Sequence, residues 1–430
     1  MLRKLQRKER TVPLSTTKTA FLVEVARDPE VGTPTYVYDL DAIAAEAREL
    51  LRALEDSSGL VAYAVKANSA GPIVRTLAHE GCGADVVSGA ELELSLACGV
   101  LPSKIVYSGV AKTNDEIDLA ISRTICAVQA ESVEEIARLE TRAAALGRRV
   151  RVSVRVNPGF EAQAIGTHVH ITTGHDEAKF GVPLADVDLA VRNVHAAAHL
   201  DLVGVTCHLG SQLTEVTAYV DGARILFDLG ARALSLGAPL EFIDTGGGFG
   251  IDYGAGCAVR PADFVRAVRA AQRAKGLEKL QLHLEPGRAL VGPHGVLVAR
   301  VIQTKTARAG GRLLRWLMID AGMNDLIRPA LYQARHRIVS LEGQSGPRVK
   351  WRVVGPVCES SDDFGEHELP EAVPELVAIL DCGAYGYTMA SQYNSRALPV
   401  EVFVRGGRVV ARTERAPRGE WVKRRAGLGE

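Results

Sequence analysis

Between residues 59 and 286 the chain repeats one alternation, a short apolar stretch followed by a longer Ala-, Leu- and Arg-rich segment with helical spacing. The apolar stretches read "GLVAYAV", "GADVVS", "KIVYS", "ICAVQAES", "VRVSVRVNPG", "VGVTCHLGS", "EFIDTGGG" and "LQLHLEPG". A run such as Leu60 to Val65, apolar throughout, suits a strand covered on both faces, and such strands lie in parallel sheets packed under helices. Ahead of it, "LDAIAAEARELLRAL" places Leu40, Ile43, Ala44, Ala47, Leu50, Leu51 and Leu54 on one helical face. Eight strands alternating with helices over about 230 residues predict an α/β fold of the (β/α)8, TIM-type barrel class rather than an open sheet.

Beyond Val291 the pattern changes to continuous or period-two β-branched stretches: "VLVARVIQTK", "RLLRWLMID", "VKWRVVG", "ELVAILDCGAYG" and "VEVFVRGGRVVART". The last predicts a hairpin turning at Gly406 and Gly407. A C-terminal, mostly β domain of Greek-key barrel or sandwich type is expected, with "PTYVYDL" near the N-terminus as an added strand. The expected division is 1–40 as an N-terminal segment joining the β domain, 41–295 as the barrel and 296–430 as the β domain. The final "VKRRAGLGE" reads as a solvated tail.

The bulk numbers exclude several function classes. With 51 basic and 51 acidic side chains among 430 residues there is no net charge to attract nucleic acid or an anionic membrane. No stretch approaches the length of a membrane span, and "MLRKLQRKERTVPLSTTKTA" is basic without the apolar core of an export signal. The seven cysteines are scattered without C-x-x-C or zinc spacing, so reduced thiols, a cytoplasmic location and no metal are expected. His168 and His170 form an isolated H-x-H without a third ligand.

The strand ends carry the chemistry. In order they are Lys66, Asp85 with Ser88, Ser108, Glu131, Asn157, His208, Asp244 and Glu285. A barrel gathers all eight C-terminal ends at one mouth, so an ammonium ending a buried strand faces a pocket. In "FIDTGGGFG", Gly246, Gly247 and Gly248 follow a strand directly and let backbone amides approach a phosphate. The segment fits neither G-x-G-x-x-G, because Ile251 occupies the last glycine position, nor a Walker loop. In "LHLEPGRALVG", Glu285 and Arg288 stand three residues apart. A lysine able to bind an aldehyde, a phosphate turn and a carboxylate together specify pyridoxal phosphate, whose ring nitrogen needs an acidic partner.

The ordered series "AYAVKAN", "ADVVSGAELE", "CHLGSQ", "DTGGGFG", "LEPGRALV", "MNDLIRPALY", "GPVCESSD" and "GAYGYTMASQYNSR" resembles the diaminopimelate decarboxylase family, within the alanine-racemase-fold group of pyridoxal-phosphate enzymes. The resemblance runs from about residue 34 to about residue 404. It implies that Lys66 holds the cofactor covalently, that His208 stacks on its ring and that Glu285 pairs with the pyridine nitrogen. The phosphate is then expected on Gly246 to Gly248, with Ser211 and Tyr387 nearby. Arg288, Arg328 and Tyr332 match residues holding the substrate's distal end. Cys358 and Glu359 match a pair donated by the neighbouring subunit, which implies a homodimer with shared sites.

Where relatives acting on ornithine show Cys-Asp, this chain has Cys358-Glu359. Two arginines and an acid suit a distal end that is itself an amino acid, as in meso-diaminopimelate, whose decarboxylation gives L-lysine. The chain departs from the frequent Cys-Glu-Ser-Gly-Asp in having Ser361 at the glycine position. Another diamino acid, a modified ornithine or lysine, or amino-acid racemisation on the same fold stand as alternatives. Either Cys358 or Lys66 is chemically able to reprotonate the carbanion.

Overall fold

A computed structural model describes residues 16–54, 59–159, 179–254, 259–342 and 346–427. The chain divides into two compact units, one of Ala42–Ile251 with Cys257–Leu290, the other of Met1–Asp41, Asp252–Gly256 and Val291–Glu430.

The first unit is the barrel. Its strands are Leu60–Ala64, Gly83–Val86, Ile105–Tyr107, Ala127–Ala130, Val150–Asn157, Leu200–Cys207, Phe242–Asp244 and Gln281–Leu284. Each pairs in parallel with the next, and the eighth closes on the first through His283 opposite Leu60 and Leu284 opposite Val61. All eight apolar stretches of the sequence are therefore barrel strands. Helices separate them because their starts are written locally. Ser88 caps Gly89–Ala97, Ser132 caps Val133–Leu146, and Thr113 with Glu116 closes a reciprocal capping box on Asn114–Arg123. Leu60, Ala62, Val106, Ala127, Val203 and Phe242, from five of these strands, pack as one buried apolar cluster. His283 stacks on Phe242 with ring centroids 4.0 Å apart, and burial lowers its pKa to about 3, so it is a neutral core residue.

Among the described residues, the strands of the second unit form one network of nine. Its main path runs Asp363–Pro370, Arg348–Val354, Arg312–Ile319, Gly295–Ala309, Thr35–Asp39, Val400–Arg405, Arg408–Arg412, and Leu376–Ile379 joins Gly295–Ala309 to Ile338–Ser340. Thr35–Asp39 lies inside the sheet, antiparallel to Gly295–Ala309 and parallel to Val400–Arg405. The hairpin turns at Gly406 and Gly407, with φ of 56° and 71°, as the sequence predicts.

Three elements differ from the sequence reading. Asp363–Pro370, "DFGEHELP", is a strand although four of its residues are charged or His, because Glu366 and Glu368 face solvent while Phe364 and Leu369 are buried. Thr16–Arg27 is a helix that buries Leu22, Val25 and Ala26 against Val37, Val298, Val400 and Val402. The terminal segment, read as solvated, has no buried residue, and it is a helix, Arg418–Arg425.

Candidate active site

Lys66 stands in the single turn Val65–Ala67 that ends the first strand. Its Nζ lies 2.7 Å from Oδ2 of Asp85, which ends the neighbouring second strand and is fully buried, while the lysine side chain keeps 38% of its exposure. The Ser108 hydroxyl, from the end of the third strand, donates to the other Asp85 oxygen. A buried carboxylate thus anchors an ammonium group at the open end of the barrel. That arrangement answers why an otherwise apolar strand ends in lysine.

The adjoining wall comes from strands seven and eight, the eighth being paired with the first. Glu285 is 6% exposed and accepts a 2.6 Å hydrogen bond from Gln129 Nε2 of the fourth strand. Burial first, then the neighbouring Asp244 and Asp85, raises the Glu285 pKa well above the usual carboxylate range, and burial raises Asp244 to about 7. A carboxyl group so placed pairs readily with a cation or a protonated ring nitrogen.

The glycine turn lies beside it. Gly246 and Gly248 adopt φ of 70° and 91°, and a Cβ on Gly247 would stand 2.0 Å from the Glu285 carbonyl oxygen. Side chains are excluded at all three positions, and the bare backbone is what a phosphate requires. Tyr219, on helix Val216–Ser235, holds the turn by donating to Thr245, 3.0 Å from both its carbonyl and hydroxyl oxygens. The Gly247 amide donates to His208 Nδ1 at 3.3 Å. Burial, then Arg155 and Lys66, lowers the His208 pKa to about 3, which leaves a neutral, flat ring at pH 7.

Arg288, 6% exposed, opens the short helix after strand eight and donates from Nη2 to Ser211 Oγ at 2.9 Å. Glu131 accepts from Arg155 Nη1 at 2.7 Å and from the amides of Gly109 and Gly181 at 2.9 Å each, which ties two loops of the mouth together. Lys66, His208, Ser211, the three glycines, Glu285 and Arg288 are all carried by this unit. Sequence reasoning assigned no role to Asp85 and passed over Gln129 and Arg155. Gln129 and Arg155 sit inside strands, where only a polar residue amid a buried run signals them.

In the β unit, Arg328 begins the short helix Arg328–Tyr332 and is 5% exposed. Its Nη1 lies 2.9 Å from the Tyr253 hydroxyl and 3.0 Å from His336 Nε2, and its guanidinium stacks 5.2 Å from the Tyr253 ring. Tyr332 and Tyr387 are half-buried, and the Tyr387 ring meets that of Tyr36 edge-on at 6.2 Å. Cys358 and Glu359 are exposed on a loop, the Cys358 amide bonded to Asn394 Oδ1 at 2.9 Å and the Glu359 carboxylate to the Tyr393 hydroxyl. Asp362 shapes this loop by accepting from the amides of Met323 and Val357, each at 2.7 Å. Ser361 does not have positive φ, so this loop has no conformational need for glycine at that position. His168 and His170 lie outside the described residues. Among the described residues no group of three or more His, Cys, Asp or Glu side chains is placed to hold a metal ion.

The barrel site fits pyridoxal phosphate on its own terms, with a reachable lysine amine, a turn closed to side chains and a buried acid at the end of the neighbouring strand. Residues 40–292 match the family model of the pyridoxal-dependent decarboxylases, pyridoxal binding domain. Over 376 residues the chain is 39% identical to the diaminopimelate decarboxylase of Pseudomonas aeruginosa, covering 87% of this chain and 88% of that one. The chain belongs to the diaminopimelate decarboxylase family. It is similar to the crystal structure of that enzyme from Helicobacter pylori complexed with L-lysine, with a TM-score of 0.85, 36% identity and coverage of 92% and 98%. The enzyme from M. jannaschii in co-complex with L-lysine is similar at a TM-score of 0.85 and 34% identity, with 94% of each chain covered. Family membership makes this a pyridoxal-phosphate decarboxylase with a barrel and a β domain, as its motifs imply.

Proposed function

We propose that the protein decarboxylates meso-2,6-diaminopimelate to L-lysine and carbon dioxide, the last step of lysine biosynthesis. The observation that carries the reading is the direct pairing of the first and eighth strands, which brings Lys66 and Glu285 from opposite ends of the barrel sequence to one mouth. Bound pyridoxal phosphate supplies a protonated ring that accepts the electron pair left at Cα when carbon dioxide departs.

The chain's own residues do the rest. Lys66 Nζ is the covalent anchor, and Asp85 Oδ2 accepts a hydrogen bond from it at 2.7 Å. Glu285 keeps the ring nitrogen charged, neutral His208 offers a flat face to the ring, and Gly246 to Gly248 with Ser211 and Tyr387 receive the phosphate. Arg288, Arg328 and Tyr332 hold the distal carboxylate, and Glu359 takes the distal amine, by charge-assisted hydrogen bonds. Cys358 or Lys66 returns a proton to Cα.

Cys358 and Glu359 come, in this reading, from the second subunit of a homodimer, as their exposure in the single chain allows. Six described cysteines are free thiols, which suits a cytoplasmic enzyme. The test is to supply meso-diaminopimelate and pyridoxal phosphate and measure carbon dioxide and L-lysine. Stoichiometric formation of both, abolished in Lys66→Ala, is expected; turnover of another diamino acid in its place refutes the substrate.

A further inference from the structure

Two buried polar side chains stand beside Glu285 and have no part in the roles above. Gln129, on the fourth strand, is 1% exposed, and Asp244, ending the seventh, is fully buried. Gln129 Nε2 donates to Glu285 Oε1 at 2.6 Å and lies 3.5 Å from Asp244 Oδ2. The Asp244 and Glu285 carboxyl groups therefore meet at one amide nitrogen, and Asp244 Oδ1 accepts the Gly246 amide at 2.8 Å. Two buried carboxyl groups gathered at one amide favour keeping a proton between them, since two bare anions repel so far from water.

We propose that Gln129 and Asp244 are positioning residues for Glu285: Gln129 fixes the orientation of its carboxyl group, and Asp244 shares one proton with it, so that the pair presents a single negative charge to the cofactor's ring nitrogen. The inference rests on the reading of Glu285 as partner of that nitrogen. Gln129 is suited to its part because an amide donates without adding charge. A lysine there would neutralise Glu285, and a carboxylate would raise it further. Asp244 is suited to its part because the Gly246 amide pins one of its oxygens, so the shared proton ties strand eight to the head of the glycine turn.

The surroundings keep that proton in place. Burial dominates for both groups, and Asp85 from the second strand adds repulsion to each. Arg155 from the fifth strand opposes this at both, and Lys66 from the first opposes it at Glu285. Cys207 of the sixth strand, pushed up to about 12 by burial, and Tyr219, pushed up likewise, stay neutral beside them. The net result is a pair that keeps its proton in acid and gives it up only as the pH rises through the neutral range, titrating as a unit.

The test compares holoenzymes of wild type, Gln129→Leu, Asp244→Asn and Glu285→Gln. Each is dialysed to equilibrium against graded pyridoxal phosphate from about pH 6 to about pH 9, with cofactor absorbance recorded throughout. Gln129→Leu is expected to weaken cofactor binding about 10- to 100-fold, the worth of one hydrogen bond to a charged group. Asp244→Asn keeps a donor beside Glu285 but no titrating proton. Its affinity near neutral pH should stay within about threefold of wild type, while the neutral-range transition in binding and absorbance disappears.

A merely structural role would lower the melting temperature without moving that pH profile. Wild-type pH behaviour in Asp244→Asn, or wild-type affinity in Gln129→Leu, overturns the proposal. If circular dichroism shows Asp244→Asn unfolded, Gln129→Leu decides alone. Glu285→Gln separates the two readings. If it changes neither binding nor absorbance, the role of Glu285 itself falls; if it changes both while the other two variants behave as wild type, only the present inference falls.

Discussion

Replacing Gly247 by alanine adds one methyl group at the most crowded point of the phosphate turn. The backbone there is not left-handed, so alanine meets no conformational penalty and the effect is purely steric. The new Cβ would lie 2.0 Å from the Glu285 carbonyl oxygen and 2.7 Å from its carbon, about 1.4 Å inside ordinary contact at 3.4 Å. Both neighbours are backbone and both are tied, through Glu285 N to Gly246 O at 2.9 Å and Ala64 N to Pro286 O at 3.1 Å. Relief must therefore shift the end of strand eight, and the Glu285 side chain with it. Overpacking of this kind costs about 1–3 kcal/mol of stability. A displacement near 1 Å at a catalytic group costs on the order of 10²-fold in rate. The assay is cofactor titration by fluorescence with kcat at saturating cofactor. Gly237→Ala serves as control: its φ is 87° and the space around it is open, so it should lose about 1–2 kcal/mol of stability from left-handed strain alone and keep full activity. Wild-type affinity together with turnover within about threefold in Gly247→Ala would refute the steric reasoning.

Other consequences follow from particular groups. Glu401, 4% exposed and hydrogen-bonded to the Tyr38 hydroxyl at 2.9 Å, is raised by burial from 4.5 to about 7. Because the folded value exceeds the unfolded one, its contribution is complete below about pH 4.5 and is lost as the pH rises through about 7. Glu401→Gln, which mimics the neutral acid, should remove roughly 3 kcal/mol of that pH dependence in urea unfolding; an unchanged slope would count against the buried acid. Arg328→Ala should lower kcat/KM for meso-diaminopimelate by about 10²- to 10³-fold and cost far less with D-lysine, which lacks the distal carboxylate, while equal losses would leave Arg328 a structural residue. Mixing inactive Lys66→Ala and Cys358→Ala chains should restore part of the activity if sites are shared, and no recovery after verified subunit exchange excludes sharing.

Much of this protein is legible one segment at a time. Leu60 to Val65 is apolar at each position because both faces of a barrel strand are covered, and the residue that follows must leave that environment, which singles out Lys66. The glycines at 246 to 248 and the carboxylate at 285 stand out because each breaks a buried apolar run at its end. Such signals survive in sequence because burial and turn chemistry are local demands on residue type. Gln129 and Arg155 send no comparable signal, since alternation along a strand is also satisfied by a solvent-facing side chain.

What the chain alone determined is therefore the alternation of elements, the polar strand ends and the residue types required of a pyridoxal-phosphate site. The interior position of Thr35–Asp39 between strands more than 250 residues away and the strand in charged "DFGEHELP" were decided by the tertiary structure. So was the meeting of Gln129, Asp244 and Glu285. Pairing partners are chosen by the lowest total free energy of burial and hydrogen bonding over the whole fold, and no window of sequence contains both partners of such a choice.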